Sequence, residues 1–219
     1  MLMRAESAAT RAWFVADFVP EILDFVFATW DTFRLRPSVR LEQRITNLLS
    51  DAIEHAYDEQ GKCWFIVPDM KRTDRRTGKE LARHDIRFFH RYVSGQRLYF
   101  VFECKRLNVV RGERRIPNSS AYTAGMFCFV SQKYGAGHPC GGMIGYVMDG
   151  DVASARAAVE ARIVKRRSQL QMLACGGYCP SPLMPTHPDN GETRHQRTEG
   201  EFVIYHLLLP VGFLPEGPP

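Results

Sequence analysis

Hydrophobic and polar positions along the chain change period several times, and each change predicts an element. In residues 1–35 the apolar positions Ile22, Leu23, Phe25, Val26, Phe27 and Trp30 cover more than one helix face, so this prelude is expected to be helical and buried on two sides. Leu41, Ile45, Leu48, Leu49, Ala52, Ile53 and Ala56 then recur at three- and four-residue steps. They predict an amphipathic helix opened by Pro37 and Ser38 and ending near Tyr57. Cys63 to Val67 reads as a strand ended by Pro68 and Asp69. Ile86, Phe88 and Phe89, followed by Leu98 to Phe102, read as a hairpin with Ser94, Gly95 and Gln96 as its turn. Asn118, Ser119 and Ser120 are expected to cap a helix running through Tyr122, Ala124, Met126, Phe127 and Val130 to Tyr134. A glycine-rich turn leads into a strand from Met143 to Met148, and a helix follows from Val152 to about Met172. Residues 174–200 read as a long loop, Glu201 to Leu209 as a strand, and the end as a tail. The order implies an α/β domain over residues 36–210 with a mixed central sheet. A helical extension over 1–35 precedes it and a tail over 211–219 follows.

Composition narrows this only a little. With 219 residues, 45% hydrophobic and 24% charged, the chain has the balance of a folded domain large enough for a real core. A net charge of +5 suits a polyanionic partner. The six cysteines lack the density of a disulfide scaffold, so a reducing cytoplasm is the expected compartment. Asp17, Pro20, Glu21 and Asp24 interrupt the apolar run from Ala12 to Trp30. No membrane span or clean leader is expected there, although an oligomer or partner contact through these helices is open.

The chemistry concentrates on the hairpin. Side chains alternate faces along a strand, so Glu103 and Lys105 project together and Cys104 points the other way. The strands run antiparallel, so Asp85 lies at the same end as this triplet. Asp85 followed by Glu103-Cys104-Lys105 at the end of an apolar strand resembles the signature of the PD-(D/E)XK nuclease superfamily. The resemblance covers about residues 38–148, in the order helix, three strands, helix, strand. It implies a restriction-endonuclease-like core, here with extra N-terminal helices and an added C-terminal helix and strand. It further implies metal-dependent hydrolysis of phosphodiester bonds, with DNA as the expected substrate, in restriction, defence or repair. Asp85, Glu103 and the Cys104 carbonyl would bind Mg²⁺ or Mn²⁺, and Lys105 would orient water or stabilise charge. His84 stands where the family usually has proline, and Glu103 lies eighteen positions after Asp85; Asp69 or Asp74 could replace Asp85. Glu42 matches the place from which the preceding helix adds an acid in this family. It could equally serve the first helical turn through the dipole.

Other residues join this picture more loosely. Lys71, Arg72, Arg75 and Arg76 before the hairpin, and Arg111, Arg114 and Arg115 after it, could hold a phosphate backbone or form solvated loops. His195 and Arg197, in a His-x-Arg stretch before the last strand, could contact phosphate. Tyr122, Gln132 and Lys133 could complete the site from the second helix. Cys175, Cys179, His187 and His195 could bind zinc. No Walker spacing and no serine–histidine–aspartate arrangement is legible. The competing function is a non-catalytic nucleic-acid-binding or assembly module that keeps the nuclease fold.

Overall fold

A computed structural model describes residues 12–32, 40–60, 62, 64–73, 80–90, 98–173 and 177–212. Helices α1 (Val19–Thr32) and α2 (Glu42–Gln60) precede strands β1 (Trp64–Thr73), β2 (Glu80–His90) and β3 (Tyr99–Leu107). A small hairpin, β4 (Val109–Arg111) with β5 (Arg114–Ile116), leads to α3 (Ser119–Val130), β6 (Cys140–Val147) and α4 (Val152–Lys165). Strands β7 (Cys179–Pro180), β8 (Gly191–Arg197) and β9 (Gly200–Pro210) complete the chain. The seven-stranded sheet has the order β1-β2-β3-β6-β9-β8-β7. Its central strands β3, β6 and β9 are parallel, and the outer pairings are antiparallel. The sheet is therefore mixed, as expected, with helices on both faces.

Two cores form on its two faces. One joins α1 and α2 to Ile86, Phe88, Phe100, Phe102, Cys104, Ile144 and Leu207. The other joins α3 and α4 to Val101, Leu107, Met143, Val147 and Leu208. Helix α1 packs directly on the sheet: Trp30 stacks on Tyr146 at 5.7 Å and its indole N–H donates to the Pro210 carbonyl at 3.0 Å. The buried positions of α1 cover both sides, as its pattern predicts. A π-helical turn, Phe14–Phe18, precedes it, closed by the Val19 N–H on the Phe14 carbonyl. Pro20 explains the turn, because its ring crowds the carbonyl four residues back and the wider turn relieves that clash.

Strand β6 is buried along its whole length and starts earlier than the sequence suggests, including Gly141 and Gly142. These glycines are packing residues. A Cβ at Gly141 would lie 2.6 Å from Phe129, and one at Gly142 would enter the ring of Phe102. Gly142→Ala is expected to destabilise the fold by about 2–3 kcal/mol, because a buried ring must move. Urea unfolding would check this, and an unchanged midpoint would mean that the ring relaxes freely.

Several expectations are corrected. Strand β1 continues through Pro68 to Thr73, which an edge strand tolerates since proline's missing N–H faces no neighbour. Lys71 and Arg72 are thus strand residues, paired with Arg83 and Ala82, rather than loop residues. The polar segment after β3 is the β4–β5 hairpin. Leu41 is 67% exposed, outside α2, and only its carbonyl engages the helix, accepting from the Ile45 N–H. Asn118 makes no side-chain cap; it adopts φ +55 and donates to the Arg106 carbonyl instead. Helix α3 ends at Val130, with Gln132 in the left-handed region at φ +61. Helix α4 ends at Lys165, and the chain turns so that the buried Leu170 offers its carbonyl to His195. The segment 174–200 contains β7 and β8. Ser38, Asp74, Arg75, Arg76, Ser94, Gly95, Gln96 and Cys175 lie outside the described residues.

Strand β8 is buried despite its polar sequence because its side chains satisfy one another. Thr193 Oγ1 lies 2.8 Å from both His195 Nε2 and His206 Nε2. His195 Nδ1 reaches the Leu170 carbonyl at 2.7 Å, and His206 Nδ1 reaches the Tyr122 hydroxyl at 3.0 Å. Burial depresses the pKa of both rings, to about 4 for His195 and about 3 for His206, so both are neutral near pH 7. The carbonyl can only accept, and this fixes every proton. His195 Nδ1–H donates to Leu170, Thr193 donates to His195 Nε2, His206 Nε2–H donates to Thr193, and Tyr122 donates to His206 Nδ1.

Candidate functional site

The β2–β3 ladder joins only Ile86–Phe89 to Tyr99–Phe102. Beyond that point β2 stays paired with β1 as far as Glu80, and β3 stays paired with β6 as far as Leu107. The sheet therefore forks, and polar side chains fill the fork between the two strands. Asp85 sits at its root, where its Oδ2 accepts from the Cys104 backbone N–H at 2.7 Å. A side-chain oxygen thus takes the acceptor position that a continuing ladder would give to a carbonyl.

Glu103 and Lys105 leave β3 on the α3–α4 side, as alternation requires. The Lys105 ammonium then turns back through the fork. It lies 2.7 Å from Glu103 Oε1, 3.2 Å from Glu42 Oε1 and 4.0 Å from Asp85 Oδ2, and it donates to the Cys104 carbonyl at 2.7 Å. Glu42 comes from the first turn of α2, on the opposite face of the sheet. Its second oxygen accepts from the Arg106 backbone N–H at 3.1 Å, while the Arg106 guanidinium reaches the Arg40 carbonyl at 2.5 Å. The Glu42 carboxylate thus lies in the cluster while still standing in the first turn of α2.

The electrostatics follow from three acids sharing one ammonium. Burial, reinforced by the Asp85 charge, pushes the Glu103 pKa up to about 7 against the pull of Lys105. Asp85 is also raised by burial, more than Lys105 and the Cys104 N–H lower it. Burial alone would lower the Lys105 pKa, but Glu103, Glu42 and Asp85 outweigh it and hold the amine charged well above its ordinary range. Raised values on both members of the Glu103–Lys105 pair reflect this shortage of positive charge. Near neutrality Glu103 therefore stands close to its midpoint.

Helix α3 closes the site from the other side. At Gly125 a Cβ would lie 3.1 Å from Glu103 Cγ and 2.9 Å from the Met143 methyl, so any larger residue would press on the Glu103 side chain and displace the methionine tip. Sequence reasoning missed Gly125 and Arg106; a glycine inside an apolar helix was the available signal for the first.

The remaining candidates fall elsewhere. His195 and Arg197 are buried, and Arg197 donates to the Gly135 carbonyl at 3.0 Å and pairs with Glu199 at 3.1 Å, so neither presents a phosphate-binding surface. Tyr122 is a core residue bonded to His206. Gln132 bonds Thr198, and Lys133 lies over the Tyr134 ring. Cys179 is exposed on β7, His187 stacks on Phe27 at 3.7 Å and His195 is committed to Leu170 and Thr193, which separates the described members of the proposed zinc set. Arg115 is an internal tie, paired with Asp149 at 2.7 Å and Asp151 at 2.9 Å. The side chains of Lys71 and Arg72 lie outside the described residues.

Among the described residues no group of three or more His, Cys, Asp or Glu side chains is disposed to hold a metal ion by itself. Asp85, Glu103 and the Cys104 carbonyl bring only oxygen atoms, the donor type Mg²⁺ takes, and the Lys105 ammonium sits among them. Among the same residues no helix is long and apolar enough to cross a membrane. No family model, no curated protein and no solved structure matches this chain.

Proposed function

We propose that the protein is a metal-dependent nuclease that hydrolyses phosphodiester bonds, with DNA as substrate, built on a restriction-endonuclease-like core. The observation that carries this reading is the convergence of Asp85, Glu103, Glu42 and Lys105 in one fork of the sheet. The order α2, β1, β2, β3, α3, β6, interrupted only by the small β4–β5 hairpin before α3, supports it, since helix, three strands, helix, strand is the succession the PD-(D/E)XK resemblance implies.

Asp85, Glu103 and the Cys104 carbonyl would hold Mg²⁺ or Mn²⁺, with Glu42 beside them. A bound cation would supply Lewis acidity, polarising a phosphoryl oxygen and lowering the pKa of a bound water. Lys105 stays charged and stands among the acids, where it would neutralise charge developing on the phosphoryl oxygens and orient the attacking water. Lys105 cannot serve as a general base in this state, because its proton is held too tightly.

Supercoiled plasmid incubated with Mg²⁺ should be nicked by the wild type and left intact by Lys105→Ala, with both proteins melting cooperatively. Equal nicking by the two would refute the assignment. A binding module without catalysis would show metal-independent DNA affinity and no nicking by either protein.

A further inference from the structure

The β4–β5 hairpin leaves β3 directly after the candidate site. Its turn, Gly112-Glu113, has Gly112 at φ +59, the position at which a two-residue hairpin turn needs glycine. The root is braced from several directions. The Asn108 N–H donates to the Pro117 carbonyl at 3.2 Å, and the Asn108 side chain donates to Asp149 at 3.0 Å and to the Asp151 carbonyl at 3.2 Å. Arg115 ties β5 to Asp149 and Asp151 and to the Ser154 hydroxyl at 2.7 Å.

At the tip the pattern reverses. Arg111 and Arg114 are direct cross-strand partners, both exposed, on the face opposite the one Arg115 uses. Neither has a hydrogen bond or ion pair among the described residues, although Arg115 beside them has three acceptors. Like charges directly opposite on a ribbon repel. A braced hairpin that presents two facing guanidiniums, with the turn residue Glu113 making no ion pair to either among the described residues, is disposed to meet an anion from outside. No aromatic side chain stands on the hairpin, so base stacking has no platform there.

We propose that Arg111 and Arg114 form a clamp for the phosphodiester backbone of a nucleic-acid duplex, flanking the site and separate from it. Lys105 and Arg111 are six positions apart, which even fully extended spans at most about 20 Å. The clamp therefore holds phosphates beside the reacting one. The inference rests on the nuclease reading for its polyanionic substrate, and on the hairpin's own geometry for the contact.

Anisotropy titrations of labelled duplex DNA and duplex RNA of about 20 base pairs, without metal and over a range of salt, test it. Arg111→Ala/Arg114→Ala should weaken binding about tenfold at intermediate salt and flatten the log K against log salt slope by about 2, one per lost phosphate contact. Its melting temperature should be equal or higher, since a repulsive pair is removed. Loss on either duplex supports the clamp, and the duplex that shows it identifies the source of the phosphates. Unchanged affinity and slope on both, or no binding by the wild type, overturns it. The two readings separate cleanly: the clamp effect without plasmid nicking sinks only the nuclease, and nicking without the clamp effect sinks only the clamp.

Discussion

Glu103→Gln is expected to abolish Mg²⁺-dependent nicking, by at least about a thousandfold, and to make the protein more stable at pH 8. The two effects have one cause. Glu103 is nearly buried and its folded pKa is about 7, against an ordinary glutamate value of 4.5. An acid with a raised folded pKa contributes most to stability below its unfolded value, and that contribution is lost as pH rises through the folded value. Above pH 7 the fold therefore holds an ionised carboxylate at a deficit of up to about 3 kcal/mol, at 1.36 kcal/mol per unit. Glutamine keeps the shape and the hydrogen bond to Lys105 and removes the charge, while Asp85 and Glu42 still neutralise the ammonium. For a chain of this size the gain should appear as roughly 3–6 °C in melting temperature, allowing for the lost ion pair. On the proposed nuclease reading, hydrolysis would fall because an anionic ligand of the cation would be gone, and each 1.36 kcal/mol of transition-state stabilisation is a factor of ten. Retained nicking would remove Glu103 from the chemistry. A lower melting temperature at pH 8 would show that the ion pair with Lys105 outweighs the burial.

How far the sequence led depended on how local the determinants were. The hairpin and its acids were legible because β2 and β3 alternate around Phe88, Phe100 and Phe102, and because Glu103 and Lys105 are neighbours on one strand. The second face of the site was legible only as an alternative for Glu42, since nothing local says that α2 starts beside Arg106. Strand β8 was invisible. Gly-Glu-Thr-Arg-His-Gln-Arg carries no hydrophobic period, and its burial depends on partners such as Leu170, His206 and Gly135 that are distant in sequence. The three-residue strands β4 and β5 failed for a different reason: each is too short to show a period at all. The fork is set by where pairing stops, a property of the sheet and of no single segment.

The chain of hydrogen bonds from Tyr122 to Leu170 leads to the second large effect, an acid sensitivity that Glu103 masks. His195 and His206 are held neutral, with folded values of about 4 and 3 against an ordinary 6.5. A base with a depressed folded pKa contributes fully above its unfolded value, and the contribution is lost as pH falls, because the unfolded chain takes up the proton first. At pH 5 each histidine has given up about 2 kcal/mol, together about 4, a large part of the 5–15 kcal/mol that holds a typical domain. Over the same interval Glu103 works in the opposite sense, and Asp85 adds to that direction. The wild type should therefore lose little between pH 7 and 5. Glu103→Gln, without the opposing group, should lose about 3–4 kcal/mol by urea unfolding. The tautomers offer an independent reading: ¹⁵N spectra at pH 6 should show His195 protonated only at Nδ1 and His206 only at Nε2. A flat stability profile in Glu103→Gln, or either ring in the other tautomer, would mean that the two imidazoles are not locked into one directed chain.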